Sequence, residues 1–175
     1  MESEPVIENA NNVAADHRAP DGFVSDYLLY LLAAASDAAS DQFHEKVRAA
    51  GLRVPEWRVL ACLYDRDGSM ITRLAGFALV EQSRLTRIIA QMDERGLVTR
   101  RGDPLDRRRV RVYLSDEGRD LAARLVPEAQ AHEAKLLQSL QGSDGARLKP
   151  ALRSLLNMLD QDNRPNSTEL NGHGT

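Results

Sequence analysis

The spacing of hydrophobic residues changes from a helical to a strand-like period between residues 82 and 114. Four apolar residues in the first half recur at i, i+3, i+4 and i+7: Leu85, Ile88, Ile89 and Met92. This spacing predicts a helix with one buried stripe and a polar opposite face. The second half predicts two short strands, 97–101 and 109–114, joined by a turn that contains Gly102 and Asp103-Pro104. A polar helix followed by a hairpin is the arrangement of a winged helix-turn-helix.

Three helices are predicted before this segment. Residues 21–50 predict a long helix with candidate caps at Asp21 and Ser25 and a stop at Gly51. A second helix is expected to start near Pro55, because proline suits a first helical turn. Ser69 is a candidate cap for a short third helix, which would form the helix-turn-helix pair with the helix that follows.

Two more helices are predicted after the hairpin. Ser115 is a candidate N-cap for a helix that extends to about residue 140 and contains Pro127, which should bend it. Residues 146–159 predict a last helix with leucines at helical spacing. The helices at the two ends are more leucine-rich than the central domain needs, so the sequence predicts a dimerisation module built from both ends.

These elements predict a mainly α fold with a small β-hairpin wing, in which a winged helix-turn-helix is flanked by N- and C-terminal dimerisation helices. The expected segments are a disordered arm (1–20), an N-terminal dimerisation helix (21–54), the winged helix-turn-helix DNA-binding domain (55–115), the C-terminal dimerisation helices (116–160) and a disordered tail (161–175).

Charge is unevenly distributed along the chain. The formal net charge is −3, but residues 82–111 contain nine arginines and four carboxylates, a net charge of +5, so the rest of the chain carries −8. A local positive field attracts phosphates, while the acidic remainder limits non-specific association. The average charge therefore does not argue against nucleic-acid binding.

The sequence disfavours several classes of protein. It begins without a basic and apolar signal segment, and its longest apolar run, 27–35, is shorter than the roughly 20 residues that span a bilayer, so we expect a cytoplasmic protein. The four histidines are dispersed without metal-ligand spacing, which predicts neither a metal site nor a cofactor. The sequence does not predict an enzyme, since it contains no nucleophile elbow, P-loop or dinucleotide motif.

Five short motifs resemble the MarR family of bacterial transcription regulators. They are Leu74-Ala75, Ser83-x-x-Thr86-Arg87, Glu94-Arg95-Gly96-Leu97-Val98-x-Arg100, Asp103-Pro104-x-Asp106-Arg107-Arg108 and Leu114-Ser115-x-x-Gly118. The similarity extends from about Phe23 to Leu159. It implies a homodimer with interlocked terminal helices and a pseudo-palindromic DNA operator. It also implies repression that is relieved by a small, often aromatic acidic ligand, held between the dimerisation and DNA-binding parts.

The chain departs from the family pattern at two places. The family often has a glycine and then a serine or threonine cap before the recognition helix, where this chain has Leu79-Val80-Glu81. The turn before that helix is therefore expected to differ. Leu105 stands where a second wing arginine is common, which removes one potential phosphate or minor-groove contact.

The candidate DNA contacts are polar residues of the predicted recognition helix and arginines of the wing. They are Ser83, Arg84, Thr86, Arg87 and Gln91 on the helix, and Arg107 and Arg108 on the wing. We expect Arg84 and Arg87 to contact bases, because arginine can donate two hydrogen bonds to guanine, and Ser83 and Thr86 to contact mainly phosphates. Asp106 is expected to support the wing by holding a neighbouring arginine. Without the wing, the same helix face would be an ordinary solvated surface.

Four residues are candidates for binding a small-molecule effector: Arg18, Tyr27, Trp57 and Arg58. The last three lie where the first two helices could meet, and Arg18 precedes them closely. An aromatic wall beside a guanidinium group suits an aromatic carboxylate. The alternative is that both aromatic side chains belong to the core and both arginines are solvated.

Two other functions remain open on the sequence. Cys62, the single cysteine, could make the chain a thiol-based, redox-responsive regulator, or it could be a buried structural residue. The chain could also be a winged-helix protein–protein adaptor. Such an adaptor should carry apolar or acidic residues on its exposed recognition face, where this chain has Arg84 and Arg87.

Overall fold

The computed structural model describes residues 22–106 and 109–162. This part contains seven helices and three strands: α1 (Phe23–Asp26), α2 (Leu28–Ala49), α3 (Val54–Asp65), β1 (Ser69–Met70), α4 (Ile71–Ala78), α5 (Gln82–Glu94), β2 (Val98–Gly102), β3 (Val110–Leu114), α6 (Asp116–Ser139) and α7 (Asp144–Asp162). The predicted mainly α fold with a hairpin wing is confirmed. The predicted arm and nearly all of the predicted tail lie outside the described residues, as do Arg18, Arg107 and Arg108.

The hairpin predicted at the centre of the chain pairs as expected, and it gains a third strand. β2 and β3 are antiparallel, with Val98 opposite Leu114. β1 pairs with the other edge of β3 through Ser69 opposite Val112, so the strand order is β1-β3-β2. The prediction that Ser69 caps α4 is wrong, because Ser69 lies in β1 and its hydroxyl donates to the Arg66 carbonyl oxygen at 2.7 Å.

The predicted apolar stripe of α5 lies at the centre of the core. Its four residues are at most 6% exposed: Leu85, Ile88, Ile89 and Met92. The same buried cluster includes side chains from α3, the sheet and α6, among them Leu60, Leu63, Val98, Val112, Ala122 and Leu125. Pro55 lies in the first turn of α3, as predicted, where its missing N–H breaks no helical hydrogen bond. The core therefore holds α5 by its apolar stripe and leaves the polar face outward.

The first predicted helix is interrupted at Tyr27. The sequence predicts one helix over 21–50, but Tyr27 has extended backbone angles (φ −75°, ψ 117°) and separates α1 from α2. Ser25 is part of α1 rather than a cap of the long helix, and its hydroxyl donates to the Gly22 carbonyl oxygen at 2.6 Å. The predicted stop is confirmed, since α2 ends at Ala49 and Gly51 has a positive φ of 74°.

The terminal helices leave apolar side chains exposed. Within the described residues α7 buries no side chain, and α2 buries only Phe43 and Val47 near its C-terminal end. The exposed apolar side chains of this region include Phe23, Leu28, Leu29, Leu136, Leu140, Leu148, Leu156, Met158 and Leu159. An apolar surface of this extent, with no cover from the described part of the chain, is typical of a protein–protein interface.

The start of α6 follows the prediction from its capping residues. The Ser115 hydroxyl accepts a hydrogen bond from the Gly118 N–H at 3.0 Å, and Asp116 and Glu117 occupy the first turn. The helix ends at Ser139 and includes Pro127, as predicted. No helix within residues 22–106 and 109–162 is long and apolar enough to cross a membrane.

Candidate nucleic-acid interface

The turn between α4 and α5 is formed without a glycine and without a serine or threonine cap. Leu79 has left-handed backbone angles (φ 54°, ψ 44°), and its side chain is 77% exposed. Glu81 is the N-cap of α5, and its carboxylate accepts hydrogen bonds from the N–H groups of Ser83 (2.9 Å) and Arg84 (3.2 Å). The Ser83 hydroxyl donates to the same carboxylate. A carboxylate thus caps the positive end of the helix in place of a hydroxyl.

These hydrogen bonds change the acidity of the cap. The Ser83 hydroxyl, and then the backbone amides of Ser83 and Arg84, hold the pKa of Glu81 below its ordinary value. A carboxylate with a pKa that is lowered in the folded state adds stability above its unfolded-state pKa. This stability is lost as the pH falls through the folded-state pKa. The helix-turn-helix should therefore lose its cap on acidification.

Replacing Glu81 by glutamine should lower the midpoint temperature of thermal unfolding at neutral pH. It should also make this midpoint fall less as the pH is lowered. A neutral amide accepts weaker hydrogen bonds than a carboxylate and does not titrate in this range. Thermal unfolding followed by circular dichroism from neutral pH down to about pH 3 measures both effects. Glu94→Gln, at the other end of α5, is the control. It should not lower the midpoint, because a negative charge at a helix C-terminus is unfavourable. An identical pH profile for Glu81→Gln and the unsubstituted protein would contradict the role of the cap.

The polar face of α5 is open to solvent. All five predicted contacts on it are exposed: Ser83, Arg84, Thr86, Arg87 and Gln91. Thr86 Oγ1 donates to the Gln82 carbonyl oxygen at 2.9 Å. Gln91 differs from the other four, because its Oε1 accepts a hydrogen bond from Arg53 Nη2 at 2.6 Å. The N-terminal half of the face therefore presents two arginines and two hydroxyl groups, while its C-terminal half is attached to α3.

A buried aspartate shapes the wing. Asp103 is 4% exposed, and its Oδ1 accepts hydrogen bonds from the N–H groups of Leu105 (2.8 Å) and Asp106 (3.3 Å). Its Oδ2 accepts from Arg111 Nε at 2.5 Å. The Leu105 amide, and then the Arg111 guanidinium, hold the pKa of Asp103 below its ordinary value. The sequence placed this residue only in a turn, although the Asp-Pro pair is a signal for an aspartate that bonds its own backbone.

Arg109 lies at the exposed part of the wing and contacts Asp106. The N–H of Arg109 donates to the Asp106 carbonyl oxygen at 2.8 Å, and Arg109 Nε lies 3.4 Å from Asp106 Oδ2. Leu105, on the other side of Asp106, is 96% exposed. Arg109 was not among the predicted DNA contacts. Its membership in the arginine run that begins at Arg107 is the sequence signal that could have identified it.

A cleft of about 450 Å³ lies between α5 and the wing. It is lined by residues of β1, α4, α5 and the wing: Met70, Ile71, Thr72, Gln82, Thr86, Arg109 and Val110. Thr72, Gln82 and Thr86 supply hydrogen-bond donors and acceptors, and Arg109 supplies positive charge. Groups of these kinds bind the phosphates of nucleic acids.

Three further arginines of the hairpin have defined contacts, and two of them attach it to its neighbours. Arg100 Nε lies 2.8 Å from the Asp93 carboxylate of α5. The Arg101 guanidinium stacks 4.8 Å from the centre of the Tyr113 ring. Arg111 donates through Nη1 to the Gly68 carbonyl oxygen at 2.9 Å, in addition to its bond with Asp103. These contacts fix the hairpin relative to α5 and to the turn before β1.

The predicted effector residues do not meet within the described chain. Tyr27 stacks on Phe23, with ring centroids 5.0 Å apart, whereas Trp57 is 9% exposed and packs edge-on against Phe43 at 5.4 Å. Because an α-helix rises about 1.5 Å per residue, Tyr27, which precedes the first residue of α2, lies roughly 24 Å from Phe43 along the helix axis. Arg58 is half-buried and donates to the Ala78 carbonyl oxygen at 3.3 Å. Tyr27 therefore lies away from Trp57 and Arg58 within one chain, and Arg18 lies outside the described residues. Effector binding by these residues stays a prediction.

Cys62 is half-buried on α3. Burial, and then the Asp65 carboxylate, raise the pKa of its thiol above the ordinary value. Redox-sensing cysteines react as thiolates and need a lowered pKa in an electropositive site. The surroundings of Cys62 therefore oppose the redox-responsive alternative.

Comparisons with known proteins agree with this architecture. The model of the MarR family matches residues 52–110. A solved structure of the MarR family transcriptional regulator SPO1453 from Silicibacter pomeroyi DSS-3 is 63% identical, with a TM-score of 0.74, and the match covers 80% of this chain and 100% of that one.

Two other transcriptional regulators are more distant relatives. The transcriptional regulator HosA of Escherichia coli O111:H- is 29% identical over 106 residues, which cover 61% of this chain and 78% of HosA. The organic hydroperoxide resistance transcriptional regulator of Bacillus subtilis is 26% identical over 140 residues, which cover 80% of this chain and 94% of that protein. The identity to a MarR regulator over its whole length, together with the winged helix-turn-helix described above, shows that this chain belongs to the MarR family of transcriptional regulators.

Proposed function

We propose that this chain acts as a homodimeric repressor that binds a pseudo-palindromic DNA operator. The observation that carries the proposal is that α5, which exposes Arg84 and Arg87 to solvent, and the wing, through Arg109, border the same cleft. Helix α5 has the dimensions to enter a major groove, while the wing can contact the neighbouring backbone or minor groove. We assign base contacts to Arg84 and Arg87. Phosphate contacts fall to Ser83, Thr86 and the arginines of the wing, which include Arg107, Arg108 and Arg109.

The exposed apolar surface supports the homodimer. Leu28 and Leu29 of α2, and Leu156 and Leu159 of α7, are between 46% and 60% exposed in one chain. A second copy supplies an identical apolar surface, so a two-fold axis can cover both. Two copies held in this way would present two α5 helices to successive major grooves, which are separated by roughly 34 Å on one face of a duplex. We therefore assign 21–54 and 116–160 to dimerisation and 55–115 to DNA binding.

Release by a small aromatic acid is the proposed regulation. Its support is the family resemblance, because Tyr27, Trp57 and Arg58 lie in separate environments within one chain. A site that uses Tyr27 would have to be completed by residues of a second copy. Arg58 follows Trp57 on α3, and its guanidinium is a group of this set that could bind the carboxylate of such an acid.

Replacing Arg84 by alanine should reduce the preference for the operator over a scrambled duplex by about fivefold to 150-fold, because a bidentate arginine–guanine contact contributes about 1–3 kcal/mol of discrimination. The measurement is a mobility shift on the DNA upstream of the chain's own reading frame and on a scrambled duplex, each at two salt concentrations. Arg124→Ala removes the same charge from an exposed position on α6 and is the control. Repeating the shift with aromatic carboxylates tests the proposed release.

The outcomes separate the proposed functions. Loss of sequence preference in Arg84→Ala, with Arg124→Ala unaffected, supports base recognition by α5. Equal preference in both variants would contradict it. The absence of a specific shift by the unsubstituted protein, on its own upstream DNA and on neighbouring promoters, would instead favour a protein–protein adaptor.

A further inference from the structure

A buried carboxylate joins the start of α3 to the C-terminal end of α5. Glu56 is fully buried, and its Oε2 accepts a hydrogen bond from the Arg53 N–H at 2.8 Å. Its Oε1 accepts from two guanidinium groups, Arg53 Nη2 at 2.7 Å and Arg95 Nη1 at 2.9 Å. A buried carboxylate is tolerated only when its charge is paired and its oxygens are hydrogen-bonded. Both conditions are met here by residues from two separate elements.

The charged form of Glu56 is the stable one. Burial by itself raises the pKa of Glu56, but the hydrogen bonds from the side chain and backbone of Arg53, and then the Arg95 guanidinium, outweigh it and hold that pKa below the ordinary value. The carboxylate is therefore ionised at neutral pH. Its charge keeps both guanidinium groups in place.

Each arginine makes a second contact beyond Glu56. Arg53 Nη2 donates to Gln91 Oε1 at 2.6 Å, and Arg95 Nη2 donates to the Gly51 carbonyl oxygen at 2.8 Å. Gln91 and Arg95 are four residues apart, which is about one turn of the same helix face. Two successive turns at one end of α5 are thus attached to residues 51–56, the segment that follows α2.

The attached end and the proposed DNA-reading end share one face of α5. At about 100° per residue, Gln91 and Arg95 each lie within roughly 20° of Arg84 around the helix axis. Arg84 is roughly 16 Å from Arg95 along that axis, at about 1.5 Å per residue. A tilt of only about 5° around the attached end would move Arg84 by more than 1 Å, and hydrogen bonds to base edges do not tolerate such a shift.

We propose that Glu56 is a positioning residue for DNA recognition, which fixes the orientation of α5 through Arg53, Gln91 and Arg95. This inference rests on the proposed function, in which α5 reads the operator. It gives Gln91, predicted from the sequence to contact DNA, a different role: its side-chain oxygen anchors the helix. It also makes the segment between α2 and α3 part of the recognition geometry, although this segment has no proposed contact with DNA.

The test compares Glu56→Gln and Arg53→Gln with the unsubstituted protein, all as full chains. Affinities are measured for the upstream duplex that the protein shifts and for a scrambled duplex, over a series of salt concentrations. We expect the ratio of the two affinities to fall roughly tenfold, comparable to one mismatched base pair. The slope of affinity against salt should stay the same, because no phosphate contact is removed.

Lys46→Gln is the matched control for Arg53→Gln. The Lys46 and Arg53 side chains are 55% and 57% exposed. Each substitution removes one positive charge and an ion pair with a glutamate. Lys46 pairs with Glu128 of α6, away from α5, so its replacement should leave the affinity ratio unchanged. Arg53→Lys separates charge from geometry. It keeps the charge but not the guanidinium fork, so its ratio should fall as far as that of Arg53→Gln.

The outcomes are distinct. If the unsubstituted protein does not prefer the upstream duplex, the proposed function fails and this inference fails with it. If it does, and if Arg53→Gln and Glu56→Gln keep the full ratio while their unfolding midpoints fall, the network is merely structural and the inference alone is overturned. If Glu56→Gln does not fold, as circular dichroism would show, Arg53→Gln decides, because its exposed side chain can be replaced without leaving a cavity.

Discussion

Replacing Gly118 by alanine should lower the free energy of unfolding by about 3 kcal/mol, at the upper end of the penalties for overpacking. A Cβ atom at Gly118 would lie 1.9 Å from the carbonyl oxygen of Leu97, which is a backbone atom. That oxygen also accepts a hydrogen bond from the Ser115 N–H at 3.2 Å, so it cannot turn away without breaking this contact. The first turn of α6 would have to move away from the start of β2.

Equilibrium unfolding in urea measures this effect. Gly76→Ala is the matched control, because Gly76 lies in α4 and a Cβ atom there would meet nothing within 4 Å. That substitution should stabilise the protein by about 0.5–1 kcal/mol, since alanine costs less conformational entropy than glycine in a helix. Equal midpoints for Gly118→Ala and the unsubstituted protein would show that the junction can adjust, contrary to the geometry.

The junction at Gly118 connects the DNA-binding part to the helices at the C-terminal end. The Ser115 hydroxyl accepts from the Gly118 N–H at 3.0 Å and donates to the Gly96 carbonyl oxygen, so α6 is capped and attached to the end of the α5–β2 turn by one residue. A shift of α6 would therefore be transmitted to β2, and through β2 to the wing. The Leu-Ser-x-x-Gly motif is explained by this close approach of two backbones.

Much of the fold follows from local sequence signals. The stripe of α5 from Leu85 to Met92 is buried as its spacing predicts, and Pro55, Gly51 and Ser115 mark helix ends where their backbone and side-chain chemistry places them. Each of these signals acts within about one helical turn. Local chemistry is sufficient for such features, because the residues that form them are neighbours in sequence.

The features that the sequence did not predict depend on contacts between distant segments. β1 has only two residues, and Ser69 belongs to a strand only because β3 lies beside it, so its hydroxyl resembled a helix cap in the sequence alone. Leu79 adopts a left-handed conformation that its side chain disfavours, at the turn from α4 to α5, where the sequence indicated only a difference from the family pattern. Tyr27 interrupts a segment whose apolar period continues through it.

The candidate site likewise has features that local sequence signals predict and features that depend on contacts between distant residues. The exposure of Arg84 and Arg87 could be predicted, since it follows from the buried stripe on the opposite face. The link between Glu56 and Arg95 could not, because it joins residues 39 apart in sequence and neither belongs to a local motif that requires the other. The distance between two of the effector candidates has a related cause. Tyr27 and Trp57 were expected where the first two helices could meet, but Tyr27 precedes α2, whereas Trp57 packs against Phe43 near the C-terminal end of that helix.

Replacing Leu156 and Leu159 together by aspartate should convert the proposed dimer into a monomer. Operator affinity should then fall at least about a hundredfold, because two linked DNA-binding domains bind 10²–10⁴-fold more tightly than one. These side chains are 60% and 46% exposed in one chain, so aspartate there costs a folded monomer little. In a dimer interface the same carboxylates would be buried without partners.

Sedimentation velocity gives the oligomeric state of this variant, and mobility shifts on the upstream duplex give its affinity. Leu156→Met, which keeps an apolar side chain of similar volume, is the control and should remain dimeric with full affinity. A double aspartate variant that is still dimeric would exclude this face of α7 from the interface. A monomeric variant that binds the operator as tightly as the unsubstituted protein would show that dimerisation is not needed to place α5 on DNA. Loss of both properties together would link the exposed apolar helices to operator binding through the spacing of the two α5 helices.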